Sequence, residues 1–276
     1  MFAALLITFR ETLEAALVIG ILITFLTKTH QEVFKKYVWI GAGLGVIGAV
    51  VTAVLLRMFL GTFEGRTEQI FEGILMFVTA GFLTWMILWV HRQKGLVKNL
   101  QNQVQYHIDQ KYTVGLVILP LTAVLREGVE TVFYLQAVAT LAGNNNQLIG
   151  AAIGMVIAVG LGYAIFRYSL KIDLIKLLKV TGAFLLLFAA GLVMHGVHEF
   201  QEAGLLPIFS FDPLINISHI LSNSSLLGSF LRTLFGYTAS PTLLELLSYA
   251  GFIYMIYLLE KQTDKLLFRK FATGRK

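Results

Sequence analysis

Residues 10–14 read Arg10-Glu11-Thr12-Leu13-Glu14, and they lie inside an otherwise apolar run from Met1 to Thr27. Three charged side chains near the middle of a membrane-length helix are costly, at roughly 2.5–3.5 kcal/mol each on insertion scales. Ionisable residues at such a depth mark a functional site by default. This stretch therefore predicts a membrane helix that carries a site.

The same pattern occurs a second time, as Arg126-Glu127-Gly128-Val129-Glu130, inside another long apolar run. Because residues three and four apart share a helix face, the charged side chains of each copy lie on one side of their helix. Four carboxylates and two guanidinium groups leave a surplus of negative charge, which suits a multivalent cation with hard oxygen ligands. The alternative is a buried ion-pair network that only locks helices together. The presence of two copies favours the functional interpretation.

The composition excludes an ordinary soluble domain. The 276-residue chain is 57% hydrophobic and only 14% charged, with no cysteine. Soluble globular domains carry about 25% charged residues. The absence of cysteine excludes disulfides and thiolate metal sites. We therefore expect an all-α polytopic membrane protein.

Seven apolar segments are long enough, at about 20 residues, to predict seven transmembrane helices. They cover residues 3–27, 38–60, 69–91, 113–141, 147–169, 177–199 and 242–260. Residues 1–262 would form a single transmembrane domain, followed by a basic cytoplasmic tail at 263–276. We further expect a solvated connector at 92–111 and an outer loop helix at about 213–236.

The distribution of basic residues predicts the orientation in the membrane. Of the 22 Lys and Arg residues, 17 lie on one side of the predicted spans, three lie on the other side and two lie within spans. Because basic loops stay in the cytoplasm, the N-terminus should lie outside and the C-terminus inside. The net charge of +6 is thus explained by topology, and we expect membrane lipid but no nucleic acid among the partners.

The positions of the two motifs, in the first and fourth spans, predict an internal repeat. These spans cross the membrane in opposite directions, so residues of about 1–92 and about 112–200 would be inverted repeats. The last span, at about 242–260, would be extra. Inverted repeats commonly place a substrate site at their interface near the bilayer midplane.

Acidic residues are spaced regularly near the start of the third span. Glu64, Glu68 and Glu72 are four residues apart, which predicts an acidic ladder that concentrates and admits a cation. The alternative is a solvated helix start, where acidic residues interact favourably with the helix dipole.

The sixth span ends with His195, His198, Glu199 and Glu202, which helical spacing places largely on one stripe. Imidazole and carboxylate groups at this spacing predict a metal site. An intramembrane zinc enzyme that uses His195, His198 and Glu199 is an alternative, although the His-Glu-x-x-His signature is absent. Glu245, early in the last span, is placed near the membrane interface.

With these residues in place, the chain resembles the oxidase-dependent iron permeases, a family that includes the fungal high-affinity iron permease and bacterial EfeU. The resemblance covers nearly the whole chain and rests first on the doubled Arg-Glu-x-x-Glu motif. Supporting segments are Phe71-Glu72-Gly73-Ile74, Thr84-Trp85-Met86, Glu202-Ala203-Gly204-Leu205 and Leu234-Phe235-Gly236-Tyr237 with Pro241. Thr12 stands where the family commonly has Gly, and the acidic outer motif of the fungal members is not evident.

The resemblance implies seven spans and a permease, not an enzyme, in the cytoplasmic membrane of a bacterium. Iron would be its substrate, with no permanently bound cofactor. The iron path would use the carboxylates of Glu11, Glu14, Glu127 and Glu130. An extracytoplasmic partner that binds or oxidises iron is also implied.

Several alternatives stay open at this stage. The ion can be ferric or ferrous, or another metal cation such as manganese or lead, and transport can be coupled to protons. The two motifs can form one site or two sites in series. A structural subunit, in which the motifs only pin helices together, and a homo-oligomer are also compatible with the sequence.

Overall fold

The computed structural model describes residues 1–90, 96–109, 113–142, 147–168, 174–207, 228, 231, 235–238 and 241–273. Within these residues the structure is helical and contains no β-strand. The predicted all-α fold is therefore confirmed for the described part of the chain.

Eight α-helices fall within the described residues, and seven of them coincide with the seven predicted spans. They are α1 (Phe2–Lys28), α2 (Lys35–Leu60), α3 (Arg66–Val90), α4 (Leu96–Asp109), α5 (Thr113–Ala142), α6 (Gln147–Tyr168), α7 (Leu174–Glu202) and α8 (Leu243–Thr273). A short 3-10 turn, Glu32–Phe34, leads into α2.

Four helical stretches are long and apolar enough to cross a membrane: Glu32–Leu60, Arg66–Ile87, Gln147–Tyr168 and Val180–Glu202. The motif helices α1 and α5 are long enough too, but each carries three charged residues near its middle. The apolar stretch of α8, Leu243–Leu259, is shorter. The number of spans thus stays a prediction.

We predicted a solvated connector at 92–111, but most of this segment forms the helix α4, so the prediction was wrong about its structure. Leu100, Val104 and Ile108 recur every fourth residue, so they share one helix face. Val104 is only 1% exposed. The Gln-rich composition of this segment concealed its apolar face. The predicted loop helix at 213–236 lies almost entirely outside the described residues, whereas α8 continues to Thr273, through most of the predicted tail.

The chain divides into two compact units. The first contains Met1–Glu64 and Gln93–Gly182, and the second contains Gly65–Arg92 and Ala183–Lys276. Helices α1, α2, α4, α5 and α6 therefore belong to the first unit, while α3, most of α7 and α8 belong to the second. Each unit contains segments of both predicted repeats.

In the first unit, α2 lies along α5 and α6 lies along α1, in two parallel pairs. Gly41 contacts the carbonyl of Val117, and Gly45 contacts Leu121 further along α5. A Cβ atom at Gly45 would lie 3.0 Å from the Leu121 carbonyl oxygen, so a larger residue would force the helices apart. Small residues let membrane helices approach this closely.

The second parallel pair uses the same kind of contact. Gly150 on α6 contacts the carbonyl of Met1, and Gly154 contacts the carbonyl of Leu5. The hydroxyl of Thr8 adds a hydrogen bond of 3.0 Å to the carbonyl of Ala151. The close approach of α6 fixes α1 along the segment that precedes Arg10.

An apolar core joins α1, α2, α4 and α5 in the first unit. Its buried members are Ile19, Leu22, Leu26, Val38, Ala42, Val104 and Leu116. In water, burial of each such side chain would contribute roughly 1.5–3 kcal/mol. In lipid this hydrophobic contribution is absent, and close packing between the helices takes its place. The core holds α1 and α5 side by side, so that their charged segments come together.

In the second unit, α3 and α7 cross at Gly73 and Gly196. A Cβ atom at Gly73 would lie 2.6 Å from the Phe200 ring, and one at Gly196 would lie 2.9 Å from the Phe77 ring. The two rings stack with 5.5 Å between their centroids. This crossing places the first turns of α3 beside the C-terminal end of α7.

Candidate functional site

The first motif is buried inside the first unit. Arg10 is 1% exposed and binds both glutamates of its own helix. Its Nη1 lies 3.0 Å from Oε1 of Glu11, and its Nη2 lies 2.8 Å from Oε1 of Glu14. One guanidinium group therefore holds two carboxylates on the same face of α1.

The second motif lies on α5, which packs against α1. Arg126 Nε lies 3.0 Å from Oε1 of Glu130 but 3.9 Å from Oε1 of Glu127. The side chain of Arg126 is 29% exposed, in contrast to the fully enclosed Arg10. The two copies of the motif are thus similar in sequence but different in their ion pairs.

Three carboxylates from the two helices converge. Glu11, Glu14 and Glu127 each offer an oxygen atom, and these atoms lie within 4.8 Å of one another. Among the described residues, no hydrogen-bond donor reaches Oε2 of Glu11 or Oε2 of Glu127. Buried carboxylate oxygens without donors are costly unless a cation takes them. We call Glu11, Glu14 and Glu127 the carboxylate site.

Glu130 does not belong to the carboxylate site. Its Oε1 accepts a hydrogen bond from Arg126, and its Oε2 accepts one from the hydroxyl of Tyr134, both of 3.0 Å. The sequence predicts that each motif contributes an equivalent pair of carboxylates. The structure instead divides the four glutamates into three that converge and one that is held by its own helix.

A second group of predicted residues lies in the second unit, which we call the α7 cluster: Glu68, Glu72, His198, Glu199 and Glu202. Glu199 is close enough to Glu68, Glu72 and Glu202 for their charges to act on it. Glu202 also accepts a hydrogen bond of 3.0 Å from Gln69 on α3. The structure therefore brings the predicted ladder and the end of α7 together.

His198 lies between two carboxylates in this unit. Its Nε2 is 3.1 Å from Oε1 of Glu202, and its Nδ1 is 2.8 Å from Oε1 of Glu245 on α8. Glu245 is 2% exposed, so the protein encloses its side chain, and its place near the membrane interface stays a prediction. The sequence shows the Thr242-x-x-Glu245 capping pattern. It does not show that Glu245 contacts His198, which lies 47 residues earlier in the chain.

His195 is buried on α7, three residues before His198. Its Nδ1 lies 3.0 Å from the carbonyl oxygen of Gly191. Beside it is a cavity of about 30 Å³, lined by Met194, His195, His198, Thr238 and Glu245. A zinc enzyme would need His195, His198 and Glu199 around one ion. Among the described residues, these three do not form a group whose ligand atoms all lie within 4.8 Å of one another.

The prediction for Glu64 was wrong in its geometry. Helix α3 begins at Arg66, and Gly65 before it has a φ of +62°. Because this left-handed residue separates Glu64 from the helix, Glu64 does not share a helix face with Glu68 and Glu72. The helical ladder has two members.

One known protein family matches this chain along most of its length. Residues 1–259 match the Iron permease FTR1 family. No solved structure matches the chain.

Curated relatives cover almost the entire chain. It is 35% identical over 259 residues to the "Ferrous iron permease EfeU" of Yersinia pestis, which is 93% of this chain and 91% of the relative. Identity to the protein of that name from Yersinia pseudotuberculosis is 34% over 258 residues, with 92% and 90% coverage. For the Escherichia coli strain CFT073 protein of that name it is 31% over 262 residues, with 93% coverage of both.

The apolar helices and the permease relatives together make this chain a multi-pass membrane protein. The match to one family runs from residue 1 to residue 259, so it includes both motifs and the apolar part of α8. The chain belongs to the Iron permease FTR1 family.

Proposed function

We propose that this protein is an uptake permease that moves iron into the cytoplasm through the carboxylate site. The observation that carries the proposal is the convergence of Glu11, Glu14 and Glu127, with two buried oxygens that no donor reaches within the described residues. A structural network would pair its charges, whereas this site keeps ligand atoms ready for a cation. Carboxylate oxygens suit hard and borderline metal ions.

Glu130 is the next ligand on the proposed path. It is held 3.0 Å from Arg126 and lies one helical turn from Glu127 on α5. An ion at the carboxylate site would weaken the need for Arg126 to neutralise nearby charge, so Glu130 could exchange Arg126 for the ion. Under this proposal the carboxylate site, built from both motifs, acts first and Glu130 acts second.

We further propose seven spans arranged as a 3+3 inverted repeat plus α8. The glycine contacts support this arrangement, since the same number of residues separates Met1 from Val117 as separates Arg10 from Arg126. Equivalent glycines on α2 and α6 thus meet equivalent positions on α5 and α1. The basic residues support an outer N-terminus and a cytoplasmic C-terminus.

The α7 cluster is proposed to collect iron before transport, together with His195. Its imidazole and carboxylate groups favour a borderline ion such as Fe²⁺. The relatives' name, ferrous iron permease, supports the same oxidation state. Fe³⁺ supplied by an iron-oxidising partner is the alternative, because the carboxylate site suits it equally.

The test is uptake of radioactive iron into proteoliposomes that contain only this protein, with Fe²⁺ and Fe³⁺ supplied separately. Glu14→Ala and Glu130→Ala should each abolish uptake while the protein remains folded. Glu32→Ala is a matched control, because Glu32 is exposed and pairs with Lys35 outside both motifs. Normal uptake in both motif variants would contradict the proposal.

A wild type that takes up neither form would make a partner protein obligatory or iron the wrong substrate. Direct uptake of manganese and lead, measured with the same vesicles, separates these cases. A cation that binds to the purified protein when iron does not bind would replace iron as the proposed substrate.

A further inference from the structure

We propose that Glu245 is a positioning residue of the α7 cluster, where it orients His198 so that Nε2 is presented to an incoming iron ion. This inference rests on the proposed function, because it assigns a role within iron collection. Glu245 and His198 both belong to the second unit.

Glu245 is fixed from two directions at the start of α8. Its Oε2 accepts a hydrogen bond of 3.1 Å from the backbone N–H of Thr242, and its own N–H donates one of 3.3 Å to the Thr242 hydroxyl. This reciprocal pair is a capping box, which satisfies backbone donors at a helix N-terminus. The cap uses Oε2 and leaves Oε1 for another partner.

That partner is His198, whose Nδ1 lies 2.8 Å from Oε1 of Glu245. A carboxylate accepts hydrogen bonds and does not donate them, so Nδ1 must carry a proton in this contact. The opposite ring nitrogen, Nε2, lies 3.1 Å from Oε1 of Glu202, so by the same argument it donates its proton to Glu202 while no ion is bound and must release that proton when an ion binds. The ring is therefore turned so that Nε2 faces the acidic side of the α7 cluster.

This geometry is the usual support of a metal-binding histidine. Such a histidine donates its second ring N–H to a carboxylate or a carbonyl, which fixes the ring and makes the ligand nitrogen more basic. Glu245 suits this role because it is 2% exposed, whereas the side chain of Glu202 is 50% exposed and accessible to an ion. One carboxylate orients the ring and the other can share the ion with Nε2.

The cavity beside His198 explains why the ring needs this support. Its volume of about 30 Å³ exceeds the space that one water molecule requires, and His198 forms part of its wall. Without the bond to Glu245, the ring has room to rotate toward Thr238 and away from Glu202. Helix capping alone does not explain the contact, because a cap requires only Oε2.

The experiment measures initial rates of Fe²⁺ uptake into proteoliposomes over a range of iron concentrations. Glu245→Gln should raise the half-saturating concentration about tenfold or more, within the 10–100-fold range of such supporting partners, with little change in the maximal rate. His198→Ala should have at least the same effect. The double variant should have the same half-saturating concentration as His198→Ala, because both changes act on the same ligand, Nε2 of His198.

Two further variants separate positioning from folding. Thr242→Ala removes the hydroxyl of the cap but keeps the Glu245 carboxylate, so it should lower the melting temperature without changing the half-saturating concentration. His198→Asn keeps a donor near the position of Nδ1 and removes Nε2. It should retain the wild-type melting temperature but raise the half-saturating concentration, even if Glu245→Gln does not fold.

A wild-type half-saturating concentration in His198→Asn, or in folded Glu245→Gln, would overturn the inference. Effects of Glu245→Gln and His198→Ala that multiply fully in the double variant would overturn it as well. These outcomes leave the proposed function intact as long as Glu14→Ala abolishes uptake. Uptake that is independent of Glu14 would instead contradict the proposed function.

Discussion

The hydroxyl of Tyr134 donates a hydrogen bond to Oε2 of Glu130, with 3.0 Å between the oxygen atoms, and both residues are buried. Tyr134 lies one helical turn beyond Glu130 on α5. At the corresponding distance from Glu14 on α1 stands Val18, which has no hydroxyl. Tyr134 therefore makes the two motifs inequivalent.

We expect Tyr134→Phe to release Glu130 toward the carboxylate site. Iron would then bind more tightly and leave more slowly, so both the half-saturating concentration and the maximal uptake rate should fall by several-fold. Concentration-dependent uptake measures both quantities. Tyr163→Phe is the matched control, because Tyr163 on α6 is 63% exposed and should show wild-type transport. A Tyr134→Phe protein with wild-type kinetics would remove Tyr134 from the mechanism.

The carboxylate site should reduce the stability of the metal-free protein. Glu127 lies 3.9 Å from its nearest guanidinium nitrogen and close to two other carboxylates. Glu127→Gln removes this repulsion, so we expect the free energy of unfolding in the presence of a chelator to rise by about 0.5–2 kcal/mol. Thermal unfolding should show this as a higher melting temperature. The variant should also lose the stabilisation that iron gives to the wild type.

Glu130→Gln provides the opposite case, because Glu130 is bound at 3.0 Å by both Arg126 and Tyr134. Loss of hydrogen bonds to a charged group should lower stability by about 1.5–3 kcal/mol. If both variants destabilise the metal-free protein equally, the motifs are structural ion pairs and not a cation site.

Hydropathy and motif spacing were enough to predict the helices that carry the site. The apolar runs around Arg10 and Arg126 became α1 and α5, and the i, i+4 spacing put each arginine on the same helix side as the second glutamate of its motif, where the two form an ion pair. These features depend on contacts within one helix. They are therefore readable from a single segment of sequence.

Features that depend on how helices meet were not readable in this way. The separation of Glu130 from the carboxylate site depends on the rotation of α5 against α1, and the pairing of His198 with Glu245 joins two distant helices. Glu64 was misplaced because α3 begins only at Arg66, two residues further along the chain, which removes Glu64 from the helix face.

The two arginines should differ in their contribution to stability. Arg10 is 1% exposed and binds two carboxylates, whereas the side chain of Arg126 is 29% exposed. Arg10→Gln leaves buried carboxylates without their cation and should cost about 3–5 kcal/mol of unfolding free energy. Arg126→Gln should cost less than half as much. Thermal unfolding of the purified variants in detergent measures the difference, and equal losses would argue against the asymmetry of the two motifs.

Glycine contacts hold together the two parallel helix pairs of the first unit. A Cβ atom at Gly45 on α2 would lie 3.0 Å from the carbonyl oxygen of Leu121, and one at Gly154 on α6 would meet the carbonyl of Leu5 still more closely. Gly45→Ala and Gly154→Ala should therefore each overpack the interface and destabilise the protein by about 1–3 kcal/mol. If the halves are equivalent, the two losses should be similar.

Two nearby glycines serve as controls for these substitutions. A Cβ atom at Gly43 or at Gly160 would meet nothing within 4 Å among the described residues. Because alanine favours a helix over glycine by up to about 1 kcal/mol, Gly43→Ala and Gly160→Ala should leave stability unchanged or increase it. Thermal unfolding and iron uptake should both separate the two sets. Should all four variants behave alike, helix propensity alone governs these positions and the paired glycines do not set the spacing of the motif helices.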